Sequence, residues 1–178
     1  KRPQPLAAAS VQKVAVADVT GDKIPDVIGL DQSGGSVLVF AGKGNGTVSK
    51  TPQSFVVGQN PGVMRLADVN GDGFDDVVVA NWDSNSISIV ATDDGGTLSD
   101  VAFLDVAGSP TFLTVADFDS DGLNDIFAVF RVEDARQVIG KSFFSSVRRT
   151  PGSWRSLPRL SETSSVSLRT TSILTVAL

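Results

Sequence analysis

One acidic nine-residue pattern occurs three times at nearly equal spacing, and this recurrence limits the possible architecture more than any other feature. Asp68-Val69-Asn70-Gly71-Asp72-Gly73-Phe74-Asp75-Asp76 places oxygen-bearing side chains at its first, third, fifth and ninth positions. Asp18-Val19-Thr20-Gly21-Asp22-Lys23-Ile24-Pro25-Asp26 lies 50 residues upstream, and Asp117-Phe118-Asp119-Ser120-Asp121-Gly122-Leu123-Asn124-Asp125 lies 49 residues downstream. A period of this size signals a repeat architecture, in which each unit buries its apolar surface against a neighbour.

Between the loops the chain reads as short β-type runs separated by glycine-rich turns. The first unit offers Val11–Ala17, Asp26–Leu30, Ser36–Phe40 and Ser54–Val57. The second offers Val63–Ala67, Val77–Trp82, Ser86–Val90 and Val101–Val106; the third offers Phe112–Ala116 and Ile126–Phe130. No stretch of ten or more residues has convincing helical periodicity. The run after each loop is apolar at consecutive positions, as in Val77-Val78-Val79-Ala80. A sheet with one wet face should alternate, so these strands are expected to be covered on both faces, as in stacked propeller blades.

The composition removes several classes of function. The chain holds no cysteine, histidine or tyrosine, so thiol chemistry and the commonest general base are absent. No apolar run approaches the roughly 18 residues of a membrane-spanning helix. Residues 1–130 carry 17 acids and 7 bases, whereas residues 131–178 carry 3 acids and 8 bases. The acidic part argues against nucleic acid as a partner.

Carboxylates packed into nine residues repel one another, at roughly 4 kcal/mol per pair for a 4 Å separation and an effective dielectric near 20. A cation removes that cost. Oxygen donors without nitrogen or sulfur suit Ca2+, with Mg2+ second. The ligands expected in the second loop are Asp68, Asn70, Asp72 and Asp76, with the backbone carbonyl of Phe74. The third loop offers Asp117, Asp119, Asp121 and Asp125 with the carbonyl of Leu123, and its extra carboxylate should make it bind at least as tightly. The first offers Asp18, Thr20, Asp22 and Asp26 with the carbonyl of Ile24. Lys23 stands there in place of Gly73 and Gly122, which strains the sharp turn and opposes a cation, so this site is expected to be the weakest. An EF-hand is excluded, because its twelfth position should be Glu and is here Gly29, Val79 and Ala128.

The run Ala67-Asp68-Val69-Asn70-Gly71-Asp72-Gly73-Phe74-Asp75-Asp76-Val77-Val78-Val79-Ala80-Asn81 resembles the FG-GAP/VCBS repeat family, which includes the propeller of integrin α subunits and many secreted bacterial proteins. The turn Gly42–Thr47 and the lead-ins Gly58-Gln59-Asn60-Pro61 and Gly108-Ser109-Pro110 fit it too. The resemblance covers residues 1 to about 130. It implies an all-β fold, a β-propeller-type repeat of four-stranded antiparallel blades whose first two strands are joined by a calcium-holding loop. Three clear blades and a degenerate fourth are expected, in a partial or open propeller. On this reading residues 1–10 are the last strand of a preceding blade or a leader. Residues 11–60, 61–109 and 110–150 are blades, and 151–178 a degenerate blade or tail.

The tail leaves alternatives open. Of 17 glycines only Gly140 and Gly152 follow Phe130, while seven of nine arginines do. A metal-free blade, a flexible basic tail and a lost reading frame all fit this composition. The positions that would continue the ligand pattern are Ser167, Arg169, Thr171 and Thr175, none of them acidic.

The function expected is a calcium-binding, non-catalytic module of a secreted, cell-surface or periplasmic protein that binds protein or carbohydrate. The alternative is an accessory piece of a larger extracellular enzyme, such as a polysaccharide lyase or hydrolase. Other blades or domains of a parent protein are expected partners, and open edges make self-association plausible. Trp82 could stack on a sugar, though packing between blades is the plainer role for it.

Overall fold

The computed structural model describes residues 10–93, 96–118, 120, 122–134 and 137–146. Among these residues every regular element is a strand: β1 (Val11–Ala17), β2 (Asp26–Asp31), β3 (Ser36–Phe40), β4 (Gln53–Val56), β5 (Pro61–Ala67), β6 (Asp76–Asn81), β7 (Ser86–Thr92), β8 (Leu98–Asp105), β9 (Ser109–Ala116), β10 (Asp125–Asp134) and β11 (Gln137–Ser146). They form three antiparallel sheets, with orders β1-β2-β3-β4, β5-β6-β7-β8 and β9-β10-β11. This is an all-β stack of blade-like sheets, open rather than closed. The degenerate fourth blade expected over 151–178 lies outside the described residues, as do residues 1–9.

The consecutive apolar runs are covered on both faces. Every residue of β6 and β7 is buried. Side chains alternate across a strand, so Val77 and Val79 join one core while Val78 and Ala80 join the other. The first core packs Ile28, Leu30, Val37, Val39 and Phe55 of the first sheet against Met64, Val77, Val79, Val90 and Leu98 of the second. The second packs Val78, Ala80, Ile87 and Ile89 against Leu113, Ile126, Ala128 and Phe130 of the third. Full burial of a Val, Leu, Ile or Phe side chain stabilises by about 1.5–3 kcal/mol, so these two seams hold the sheets together.

The third sheet runs to Ser146, within the 110–150 expected for its blade, although the sequence pattern offers no distinct strand after Phe130. β10 and β11 pair continuously from Asp125↔Ser146 to Asp134↔Gln137. The reading by composition loses the pattern after Phe130 and does not anticipate β11. Its segment Gln137-Val138-Ile139 and the pair Phe143-Phe144 nevertheless carry β-favouring residues.

At the end of the sheets away from the acidic loops, the crossing from β4 to β5 is clamped to the second sheet. Gly58 N donates to Ser88 Oγ (3.3 Å) and Gln59 N to Ser84 Oγ (3.1 Å). Trp82 N donates to the Asn60 carbonyl (3.1 Å), and Asn60 itself adopts φ 52°. Buried Asn81 donates to Ser86 Oγ and Ser88 Oγ, holding these hydroxyls in place. The Trp82 ring lies on Gly62 of β5, in its own sheet. The packing observed for it is therefore within a blade.

Candidate metal centre

The three acidic loops share one backbone course. In each, the carboxylate at the first position accepts a hydrogen bond from the N–H at the sixth. Lys23 N donates to Asp18 Oδ2 (2.7 Å), Gly73 N to Asp68 Oδ2 (2.8 Å) and Gly122 N to Asp117 Oδ2 (3.0 Å). The chain turns left-handed at the fourth and sixth positions of every loop. Gly21, Gly71 and Ser120 have φ of 71°, 80° and 62°; Lys23, Gly73 and Gly122 have φ of 65°, 89° and 88°. Lys23 and Ser120 therefore hold a conformation that glycine adopts without steric cost. Loss of glycine at position 23 strains the turn, as its sequence suggests, but leaves the turn's shape intact.

Short side-chain turns tighten the same bend. Ile24 N donates to Asp22 Oδ1 (2.8 Å) and Phe74 N to Asp72 Oδ1 (2.9 Å). Asp72 N donates to Asn70 Oδ1 (2.9 Å), and Gly71 N to Asp68 Oδ1 (2.6 Å). These are the local bonds Asp and Asn make where a chain must turn on itself.

The ninth-position carboxylates have a structural duty that spacing alone did not reveal. Asp26, Asp76 and Asp125 are fully buried. Asp26 Oδ2 accepts from Val19 N (3.0 Å) and Thr20 N (3.0 Å), and its Oδ1 accepts from Gly42 N (2.8 Å). Asp76 Oδ2 accepts from Val69 N (2.9 Å), and its Oδ1 from Thr92 N (2.9 Å) and Asn70 Nδ2 (3.3 Å). Phe118 N donates to Asp125 Oδ2 (3.1 Å). Gly42 and Thr92 are themselves 50 residues apart, so the period held the signal for this clamp. A carboxylate has about four acceptor sites, so these bonds do not exhaust it.

Burial and like charge both act on this cluster. Burial pushes the Asp76 carboxyl up to about 7; the backbone bonds from Val69 and Thr92 oppose this, and the carboxylates of Asp72 and Asp68 add to it. Asp75 is also raised, first by burial and then by the charge of Asp68, with Asp18 in the neighbouring loop adding to it.

Successive loops touch. The Phe74 ring of the second loop lies so close to Gly21 of the first that a Cβ there would sit 2.9 Å from Cε1. Leu123 of the third loop repeats this contact on Gly71, with Cδ2 2.8 Å from a Cβ. Thr92 Oγ1 donates to the carbonyls of Val19 (3.2 Å) and Asp75 (3.0 Å), linking the first loop to the second. Asn124 Nδ2 donates to the Asp68 carbonyl (2.8 Å), linking the third to the second.

The donor chemistry fits a hard divalent cation. The first loop contains two buried oxygens, Asp18 Oδ1 and Thr20 Oγ1, that have no hydrogen-bond partner. Buried acceptors left this way are costly, and an ion or ordered water commonly accounts for them. The convergence itself is not built: among the described residues no three carboxylates gather at metal-holding distance. Asp119 and Asp121 lie outside the described residues.

A family model for the FG-GAP-like repeat matches residues 18–79 and again residues 68–128. Each match runs from one acidic loop through the next, the unit that the hydrogen-bond pattern also defines. No curated protein and no solved structure matches the chain. The two matches together span more than half of the 178 residues, and the chain belongs to the FG-GAP-like repeat family.

Proposed function

We propose that the chain is a calcium-stabilised, non-catalytic repeat module that acts outside the cytoplasm and binds protein or carbohydrate. The observation supporting this reading is the shared backbone course of the three loops, each presenting oxygen donors and no other ligand type. Metal would be held by Asp68, Asn70, Asp72 and Asp76 with the Phe74 carbonyl, and by the equivalent groups of the other loops. Asp18 Oδ1 and Thr20 Oγ1, buried without partners, support a site in the first loop as well. The ion's work there is structural: it offsets repulsion among carboxylates and stiffens the hairpin. The want of His, Cys and Tyr in the chain favours binding over catalysis.

Extracellular calcium modules bind at about 0.1–1 mM. At 10 mM calcium each occupied site then stabilises by roughly 1.4–2.7 kcal/mol. Thermal melts with calcium, with magnesium and with chelator test this, together with calorimetric titration. Calcium should raise Tm more than magnesium does, with two stronger sites and a weaker first one. Unchanged melting with chelator, and no metal found by mass spectrometry, would sink the proposal.

A further inference from the structure

Asn-Gly occurs twice in the chain, at Asn45-Gly46 and at Asn70-Gly71. Glycine has no Cβ to shield its backbone nitrogen, so in this dipeptide the nitrogen can reach the preceding side-chain amide. The two copies have different surroundings, and the difference falls on the atoms that would react.

Both side chains fold forward in the same way. Asn45 Oδ1 accepts from Thr47 N (3.1 Å) and Thr47 Oγ1 (2.6 Å). Asn70 Oδ1 accepts from Asp72 N (2.9 Å). A turn closed onto the backbone two residues ahead brings the side-chain carbonyl toward the intervening glycine.

The nitrogens separate the two. Asn70 Nδ2 is tied to Asp76 Oδ1 (3.3 Å) and to the Thr92 carbonyl (3.2 Å), and Gly71 N donates to Asp68 Oδ1 (2.6 Å). A Cβ at Gly71 would lie 2.8 Å from Leu123 Cδ2, so this loop is packed. Asn45 and Gly46 are both exposed, in the β3–β4 connection that the bond from Lys43 N to the Thr47 carbonyl (3.0 Å) closes. Among the described residues neither Asn45 Nδ2 nor Gly46 N has a hydrogen-bond partner. A Cβ at Gly46 would meet nothing within 4 Å.

We propose that Asn45 is a self-modifying site, converted in the folded protein to aspartate and isoaspartate while Asn70 is spared. Gly46 N loses its proton to water or hydroxide and attacks Asn45 Cγ. The new C–N bond closes a five-membered succinimide. The Cγ–Nδ2 bond breaks, and Nδ2 takes up a proton to leave as ammonia. The two Thr47 donors stabilise the charge that grows on Oδ1 during the attack. Water then opens the ring at either carbonyl. One opening leaves aspartate; the other leaves isoaspartate, in which the backbone runs through Cγ and is one atom longer. Asn70 reacts only after its loop opens, and the bonds that hold it lower its rate about tenfold or more. The proposal rests on neither metal binding nor a ligand.

Full-length protein made in a bacterial host is incubated for weeks at mildly alkaline pH, with calcium and with chelator, and its peptides are mapped by mass spectrometry. In both conditions the Asn45 peptide should gain the mass of an amide-to-acid exchange about tenfold or more faster than the Asn70 peptide. Fragmentation should place the change at position 45, in two chromatographic forms. Gly46→Ala, which sets a methyl beside the attacking nitrogen, should slow it severalfold. Circular dichroism melts check that both proteins stay folded. In urea the two dipeptides of the unmodified chain should convert at similar rates. Asn45 left intact while the unfolded chain converts overturns the proposal. So does Asn70 keeping pace with Asn45 in the folded chain, an unchanged rate in Gly46→Ala, or the same separation of rates persisting in urea.

Discussion

Asn124 donates its side-chain N–H to the backbone carbonyl of Asp68 at 2.8 Å, across 56 residues of sequence. The eighth position of the third loop is thereby fastened to the first position of the second. A carbonyl beside a candidate ligand is thus held by a neighbouring repeat, which couples loop geometry to the stacking of the sheets.

Asn124→Ala should therefore cost stability through a single lost bond. A side-chain hydrogen bond of this kind is worth about 0.5–1.5 kcal/mol net. Urea denaturation should show a lower midpoint with an unchanged slope. The second site should also bind calcium more weakly in calorimetric titration, because Asp68 loses its anchor.

Metal-free stability should fall as pH rises through the range set by Asp76. Its carboxyl ordinarily titrates near 3.8 and is pushed up to about 7 in the folded chain by burial. Between those values the folded state binds more protons than the unfolded state, so stability is lost on going up in pH. Asp75, raised in the same direction, adds to the slope. The expected loss is on the order of 2–4 kcal/mol. Denaturation midpoints with chelator at pH 4.5, 6 and 7.5 would reveal it. Calcium favours the ionised form and should flatten the slope, and Asp76→Asn should remove most of it.

Lys23→Gly should stabilise the first loop. The left-handed conformation costs a non-glycine residue about 1–2 kcal/mol, and the greater unfolded freedom of glycine takes back part of that gain. A net gain of about 0.5–1 kcal/mol is expected. Removing the ammonium should tighten calcium at this loop several-fold. The mirror substitution Gly73→Lys should cost about 1–2 kcal/mol, for the reason that φ there is 89°. Thermal melts and calcium titration of both variants form one reciprocal pair.

Gly62→Ala should destabilise the second sheet. A Cβ at this position would lie 1.9 Å from Cε2 of Trp82, so the indole must leave its place. Overpacking of this kind costs about 1–3 kcal/mol. With Trp154 replaced by Phe, the emission of Trp82 should shift to longer wavelength as the ring is displaced.

Much of this architecture could be read from the chain, for identifiable reasons. The bounds of β1 and β3 follow from short β-branched runs framed by turn residues, and the two-faced burial of β6 follows from Val77-Val78-Val79-Ala80. The left-handed turn at Lys23 was visible because its equivalents are glycines. What escaped were relationships that local pattern does not carry. β11 was hidden because the arginine-rich, glycine-poor composition after Phe130 obscured its β-favouring residues. The clamp on Asp76 depends on Thr92, sixteen residues later, and only the three-dimensional hairpin brings the two together. The contact of Asn124 carries no sequence signal, since its partner is a backbone carbonyl in another repeat.

Among the described residues the second sheet is enclosed on both sides, and each of its neighbours shares one seam with it. In a linear array of this kind cooperativity passes only between adjacent members. Among the described residues the two cores that join the outer sheets to the rest both run through the second sheet, so fraying should begin in the outer sheets and stop at β6 and β7. Those two strands act as the keystone: as long as they persist the array is one thermodynamic unit, and once they go, two orphaned sheets remain.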